Sequence, residues 1–356
     1  MSGLTDFKKT ILNIKKTDKL AIIYHPDADG FTSAFIASAA IERLCGRKPK
    51  LVFCQKRRHV EIVDRSVKKL KDAKINYVIT VDLCVDQAPK NIKRIEKFAK
   101  LLIIDHHKTY YDLNSDNIVF IKANKISKLD GSKYPASKMT YDLFSKLVNL
   151  EDISWVAAVG VMGDNATSTW KSFVKKAAKR AKVKEEDLLE IKKVIDGVEA
   201  LNGDGFIKLM KEFEKAKKPK DLLKGKSAKY KKLLDNRLCK LMTKAMNDTD
   251  MYSDIELMIF DFKEKFNMKS AFVNQMSNIH PNMTIIAIED LGKEMVGVSA
   301  RRQDFKIKMN ELLEEATKNL DGASGGGHIP ASGGKIKRKD REKFKKNIIR
   351  ILKKKY

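Results

Sequence analysis

Cysteine is scarce. The chain holds four in 356 residues, Cys45, Cys54, Cys84 and Cys239, with no CxxC spacing. That argues for reduced thiols in a cytoplasmic protein and against a zinc site. No apolar run reaches the roughly 18 residues a membrane span needs. The first residues lack a secretory pattern, and no repeat of solenoid period is present. A membrane partner is therefore not expected. Acidic residues are also short: 46 Asp and Glu stand against 73 Lys and Arg, a net charge of +27. Such an excess suggests a polyanionic partner, nucleic acid before a membrane surface. A Lys-rich host proteome is the competing explanation. Histidine is rare, six in all, yet two stand side by side in "LLIIDHHKTY" (101–110).

The length suits two domains rather than one, and 43% hydrophobic residues suffice for a core. Apolar runs alternate with helical patterns from the start. "LAIIYH" precedes "FTSAFIASAAIERL", "KLVFC" precedes "VEIVDRSVKKLKDA", "YVITVDL" precedes "APKNIKRIEKFAK", and "KLLIID" and "NIVFIKA" follow. Alternation of this kind predicts an α/β fold: right-handed βαβ units around a mostly parallel sheet covered on both faces. Beyond Trp170 the text turns Lys-rich and helical, which predicts a connector over 171–248 with solvated basic faces. A smaller α/β unit is expected over 249–356, with strands such as "IELMIFDF" and "MTIIAIEDL", a glycine-rich loop "DGASGGGHIPASGGKI" and a basic closing helix.

Open α/β sheets bind ligands outside the carboxyl ends of their strands. Three strands here end in acid or imidazole: "HPDADG" gives His25, Asp27 and Asp29, "VITVDL" gives Asp82, and "IIDHH" gives Asp105, His106 and His107. A helix end in "GVMGDN" adds Asp164. Carboxylates so placed repel one another, and burying them unpaired is costly. Two divalent cations would resolve the conflict. Mixed imidazole and carboxylate donors suit Mn²⁺ first, with Mg²⁺, Co²⁺ or Zn²⁺ as alternatives. Taken singly, Asp82 would read as a helix cap, His25 as a packed histidine, and "GDN" as a turn. Their conjunction on one sheet edge favours a metal site.

These residues carry a resemblance. "HPDADG", "VDLC", "IIDHH" and "GVMGD" resemble, in order, the four motifs of the DHH phosphoesterase superfamily. "GASGGGHIPASGG" resembles the GGGH motif of its DHH-associated C-terminal domain, and "VSARR" the Ser-x-Arg element before it. The likeness spans residues 20–170 and 250–335, which makes 1–170 the catalytic domain and 249–356 the substrate-binding domain. The resemblance implies His25 and Asp27 on a first metal, Asp29, His106 and Asp164 on a second, and Asp82 bridging. It implies His107 facing the phosphate and Asp105 orienting its neighbours. It further implies Gly325, Gly326, Gly327, His328 and Arg301 or Arg302 as phosphate contacts, with Ser299 either a contact or a plain strand residue.

Among relatives, the compact plan and Lys bias resemble archaeal RecJ-like exonucleases and nanoRNases. The implied activity is two-metal hydrolysis of single-stranded DNA or RNA to nucleoside monophosphates, with replication or repair proteins as further partners. The alternatives are a nanoRNase or 3′-phosphoadenosine 5′-phosphate phosphatase acting on very short substrates, and a replication scaffold in which catalysis is secondary. The stretch after the GGGH motif has no room for the oligonucleotide-binding domain of bacterial RecJ. The Lys-rich connector or the last helix is expected to track the strand instead.

Overall fold

The predicted alternation of strand and helix is realised in the computed structural model, which describes residues 2–55, 62–201, 205–247, 249–264, 266–290, 292 and 294–355. The chain divides into two units, Met1–Lys231 and Lys232–Tyr356.

The first unit runs α1 (Ser2–Leu12), β1 (Leu20–Tyr24), α2 (Ala28–Cys45), β2 (Leu51–Cys54), α3 (Asp64–Asp72), β3 (Tyr77–Val81), α4 (Lys90–Glu96), β4 (Lys100–Asp105) and β5 (Ile118–Lys122). It continues with α5 (Ala123–Ile126), α6 (Ala136–Phe144), α7 (Ser154–Gly163), α8 (Lys171–Arg180), α9 (Glu185–Leu201) and α10 (Phe206–Lys215). The strands form one parallel sheet in the order β2-β1-β3-β4-β5. Period-two alternation sends their side chains to two cores. Leu20, Ile22, Ile79, Val81, Leu102 and Ile104 pack in the core of α2, α6 and α7. Ala21, Ile23, Val78, Leu101 and Ile103 pack against Val67 and Leu70 of α3 and Ile92 and Ile95 of α4. Strands buried on both faces need near-continuous apolar runs, which is what "LAIIY" and "YVITV" are. The chain leaves β1 for β2 on one side and returns to β3 on the other. A ligand crevice is therefore expected where β1 and β3 end.

The Lys-rich stretch differs from the connector expected over 171–248. Val174, Ala177, Ile191, Val198, Leu209 and Phe213 are buried in the core of the first unit. The Phe213 ring lies 4.9 Å from that of Phe31 in α2. An apolar residue at every third or fourth place runs beneath the lysines, so these helices bury one stripe and solvate the other.

From α11 (Ala228–Asn247) the chain passes through β6 (Asp250–Tyr252), β7 (Leu257–Lys263), α12 (Lys269–Ile279), β8 (Thr284–Asp290), β9 (Met295–Arg301), α13 (Met309–Thr317), β10 (Ser324–Gly327), β11 (Ala331–Lys337) and α14 (Arg341–Lys353). The sheet order is β10-β11-β9-β8-β7-β6. Only β7 and β8, joined through α12, run parallel; the other neighbours are antiparallel. Leu312 and Leu313 of α13 and Phe344, Ile348 and Leu352 of α14 cover one face. Phe272 of α12 meets Phe260 at 4.8 Å and Phe262 at 5.5 Å.

The expected glycine-rich loop is instead a hairpin. Gly325 pairs with Gly334 and Gly326 with Gly333, and the His328 N–H donates to the Ala331 carbonyl at 2.7 Å to close the turn. Backbone ladders need no side chains, and Gly327 takes φ 143°, a conformation other residues rarely adopt. Among the described residues no helix is long and apolar enough to cross a membrane, and no disulfide forms.

Candidate metal centre

The adjacent strands β1, β3 and β4 end at one rim and deliver the first unit's predicted residues there. His25 follows β1, and its Nδ1 lies 2.6 Å from Asp27 Oδ2. Asp27 caps α2, its Oδ1 accepting the Gly30 N–H at 2.8 Å. The helix folds back so closely that a Cβ on Gly30 would lie 2.3 Å from the His25 carbonyl oxygen, so only glycine fits. Asp29, in the first turn of α2, is buried and accepts the N–H groups of Ala136 and Ser137 at 2.7 and 2.9 Å. These two amides open α6, so a helix N-terminus faces the carboxylate. Asp164 caps the end of α7.

His106 is oriented by a backbone partner. Its Nδ1 lies 2.9 Å from the Gly131 carbonyl, which can only accept, so Nδ1 carries the proton. Nε2 then faces Asp82 Oδ1 at 3.2 Å, Asp164 Oδ2 at 3.3 Å and Asp29 Oδ2 at 3.9 Å. Asp82 Oδ2 lies 3.8 Å from His25 Nδ1. The donors thus form two groups of metal-ligand spacing, His25–Asp27–Asp82 and Asp29–His106–Asp164. Asp82 touches both. Its backbone is left-handed, φ 58°. For a residue other than glycine that conformation costs of order 1–3 kcal/mol and concentrates at functional sites. Its Oδ1 is buried and receives no hydrogen bond from a neutral His106 ring, whose Nε2 lies 3.2 Å away. Such an orphaned acceptor calls for an explanation, and a cation supplies one.

Electrostatics agree. Burial, then the neighbouring Asp27 charge, push the Asp82 carboxyl well above its ordinary value. Burial and Asp164 push Asp29 up to about 8. Burial would lower His25, but Asp27, Asp82 and Glu199 reverse this and push it up to about 10. His106 is likewise raised, since Asp164 and Asp82 outweigh its burial. A metal-free site of this kind holds protons where positive charge is wanted.

Asp105 sits behind the rim, fully buried. Its Oδ1 accepts the His106 N–H at 2.9 Å and pairs with His107 Nδ1 at 2.7 Å. Its Oδ2 meets Lys122 Nζ at 2.5 Å, and Lys122 also reaches Asp86 Oδ1 at 2.9 Å. Burial alone would raise the Asp105 carboxyl; His107 and Lys122 hold it well below the usual carboxylate range. Lys122 and Asp86 escape a reading of the sequence. One is a lysine in a Lys-rich chain, and the other follows a strand end by a few residues. Only the β4–β5 ladder, which sets Asp105 opposite Lys122, reveals them.

In the second unit, Arg301 ends β9 opposite Ala331 of the hairpin. Arg302 is fully buried, its guanidinium 2.5 Å from Glu256 and 2.6 and 2.7 Å from Asp304. A side chain committed to two carboxylates is not placed to contact a phosphate. Ser299 is buried in β9 between Ala287 and Gly333. β10 is the sheet's edge. The His328–Ala331 pair exchanges both N–H···O bonds, so by antiparallel alternation the N–H groups of Gly327 and Gly325 turn to the outer side, while Gly326 faces β11.

Residues 19–162 match the DHH family, N-terminal domain, and residues 256–354 match the DHHA1 domain. No curated protein sequence matches the chain. Among solved structures, one described as a member of a family of ribosomal proteins, with a DHH domain, is 16% identical, with a TM-score of 0.73 over 99% of this chain and 90% of the other. Exonuclease RecJ bound to manganese is 16% identical, with a TM-score of 0.68 over 98% and 94%. RecJ from Thermus thermophilus in complex with Mn²⁺ is 14% identical, with a TM-score of 0.73 over 99% of this chain and 55% of that one. At these identities the likeness is one of fold.

Proposed function

We infer the activity from one premise: this chain belongs to the DHH phosphoesterase superfamily, with a DHH domain followed by a DHHA1 domain. We propose that it is a divalent-metal-dependent exonuclease that hydrolyses single-stranded DNA or RNA to nucleoside monophosphates. The observation that carries this reading is Asp82: buried, left-handed, with an orphaned oxygen, between two donor groups.

In this reading His25 and Asp27 hold one cation, Asp29, His106 and Asp164 hold the other, and Asp82 is shared. The donor set suits Mn²⁺, with Mg²⁺ or Co²⁺ as alternatives; the manganese-bound RecJ structure of like fold supports it. Such a pair supplies Lewis acidity toward phosphoryl oxygens and a bound water of lowered pKa. The chain's own groups do the rest. Gly131 fixes the His106 ring, and the amides of Ala136 and Ser137 fix Asp29. Asp105 holds His107 through Nδ1, and as an imidazolium the ring would donate from Nε2 to a phosphoryl oxygen as charge builds there.

In the DHHA1 domain, Arg301, His328 and the outward N–H groups of Gly325 and Gly327 form the proposed phosphate grip. A net charge of +27 favours a long strand over a dinucleotide, because each added phosphate contact releases counterions. The test is a ladder of end-labelled DNA and RNA strands, from dinucleotides to long oligomers, with Mn²⁺. Stepwise shortening of the long strands to mononucleotides is expected. Activity confined to the shortest rungs would replace the exonuclease with a nanoRNase, and binding without hydrolysis would favour a scaffold.

A further inference from the structure

We propose that Lys122 is a positioning residue for hydrolysis: its ammonium locks Asp105 and the turn after β4 so that His107 presents Nε2 outward. The inference rests on the reading above, in which His107 faces the scissile phosphate.

A lysine at the end of a strand ordinarily snorkels to solvent. Lys122 does the opposite and is fully buried. An ammonium has three N–H donors. Three acceptors surround this one: Asp105 Oδ2 at 2.5 Å, Asp86 Oδ1 at 2.9 Å and the Lys108 carbonyl at 3.1 Å. Each acceptor secures a different part of the turn. Asp105 Oδ1 holds the His106 N–H and His107 Nδ1. The Lys108 carbonyl belongs to the residue after His107. Asp86 Oδ2 accepts the Tyr110 N–H at 2.7 Å. One charge thus ties the beginning, middle and end of residues 105–110.

Cys84, Asp86 and Asp105 have the spacing of a metal site. The ammonium already occupies that space, 4.0 Å from Cys84 Sγ. It stands where a third ion would otherwise be needed. Remove it, and the Asp105 carboxylate can turn about its terminal torsion, so His107 no longer has one fixed acceptor at Nδ1.

The test compares wild type with Lys122→Met in the full chain loaded with Mn²⁺. We expect kcat to fall about 10–100-fold, the usual effect of removing a partner that orients a site residue, with KM changed less than about threefold. In a His107→Ala background the same substitution should cost nothing further in kcat, because the two residues act as a unit. A purely structural lysine would add its loss to that of His107→Ala, and that additivity would overturn the proposal. So would an unchanged kcat. Nitrogen-15 NMR of the metal-free, histidine-labelled chain gives a readout without activity. The His107 ring resonances should be single and sharp in wild type and should broaden or split in Lys122→Met, as the ring loses its one fixed acceptor. If Lys122→Met does not fold, Asp86→Asn removes one of the three anchors and should give the same kinetic pattern at about tenfold. If the wild type cleaves no strand on the ladder, the exonuclease reading fails by itself. The His107 ring resonances then decide the Lys122 proposal, and unchanged signals refute it.

Discussion

Loading the site with cations should release protons, and the structure sets how many and over what pH. Without metal, Asp29 is pushed up to about 8 by burial and by Asp164. His25 is pushed up to about 10, its burial outweighed by Asp27, Asp82 and Glu199. At neutral pH both hold a proton that a cation must displace, because a ligand carboxylate has to be ionised and a ligand imidazole neutral. Uptake should therefore release about two protons from these groups, more if Asp82 and His106 contribute. Each proton released makes apparent affinity rise about tenfold per pH unit below the group's pKa.

The same shifts set the stability of the metal-free chain. A group whose folded pKa is raised contributes stability below its unfolded pKa and loses it as pH climbs through the folded value. Asp29 and His25 both act in that direction, so metal-free melting temperature should fall from about pH 4 to about pH 10, most steeply between about 6.5 and 8 where the two windows overlap. Asp27 and Asp105, both lowered, act only on acidification below the ordinary carboxylate range and leave this window unaffected. Saturating Mn²⁺ should flatten the slope. Calorimetric titration of Mn²⁺ in buffers of different ionisation enthalpy counts the protons, and thermal melts with and without metal give the slope. Metal uptake with no proton release, or metal-free stability that rises over that interval, would refute the assignment of these residues as cation ligands.

Asp82→Ala should lower kcat by about a thousandfold or more and bring bound manganese well below two per chain by elemental analysis, since both donor groups lose a shared carboxylate. Near-normal turnover would contradict the shared role. Arg302→Met should cost about 2–3 kcal/mol in urea unfolding. It strips the cation from Glu256 and Asp304, and the estimate is discounted from a fully buried pair because both carboxylates are part-exposed. A variant as stable as wild type would mean the cluster is neutral to the fold. His328→Ala should raise KM by about tenfold or more at little cost to kcat, the loss of one charge-assisted phosphate contact. An unchanged KM would remove His328 from the grip.

The legible part of this site is the part that physics forces into side-chain identity. A buried parallel strand must be apolar along its length, so the first polar residues after "LAIIY", "YVITV" and "KLLII" announce the functional edge. Much of what holds those residues in place is backbone, and backbone leaves no mark in a sequence. The Gly131 carbonyl that sets the His106 tautomer and the amides of Ala136 and Ser137 that anchor Asp29 belong to residues with no distinctive side chain for the task. Where a side chain does support the site, its identity can still mislead. Lys122 ends "IVFIK" as if at a solvated strand tip. It is buried because β4 and β5 pair in a register that sets it against Asp105 across seventeen residues of chain. The two arginines of "VSARR" are indistinguishable as text. Arg302 turns to Glu256 and Asp304, forty-six residues before it and two after, and is thereby withdrawn from the proposed phosphate grip. The lysines of α8 to α10 likewise hide the apolar stripe beneath them, because a stripe under charged residues matters only once α2 and α7 exist to receive it. Chemistry is legible where one strand's own burial dictates it, and register decides the residues whose partners lie on another strand.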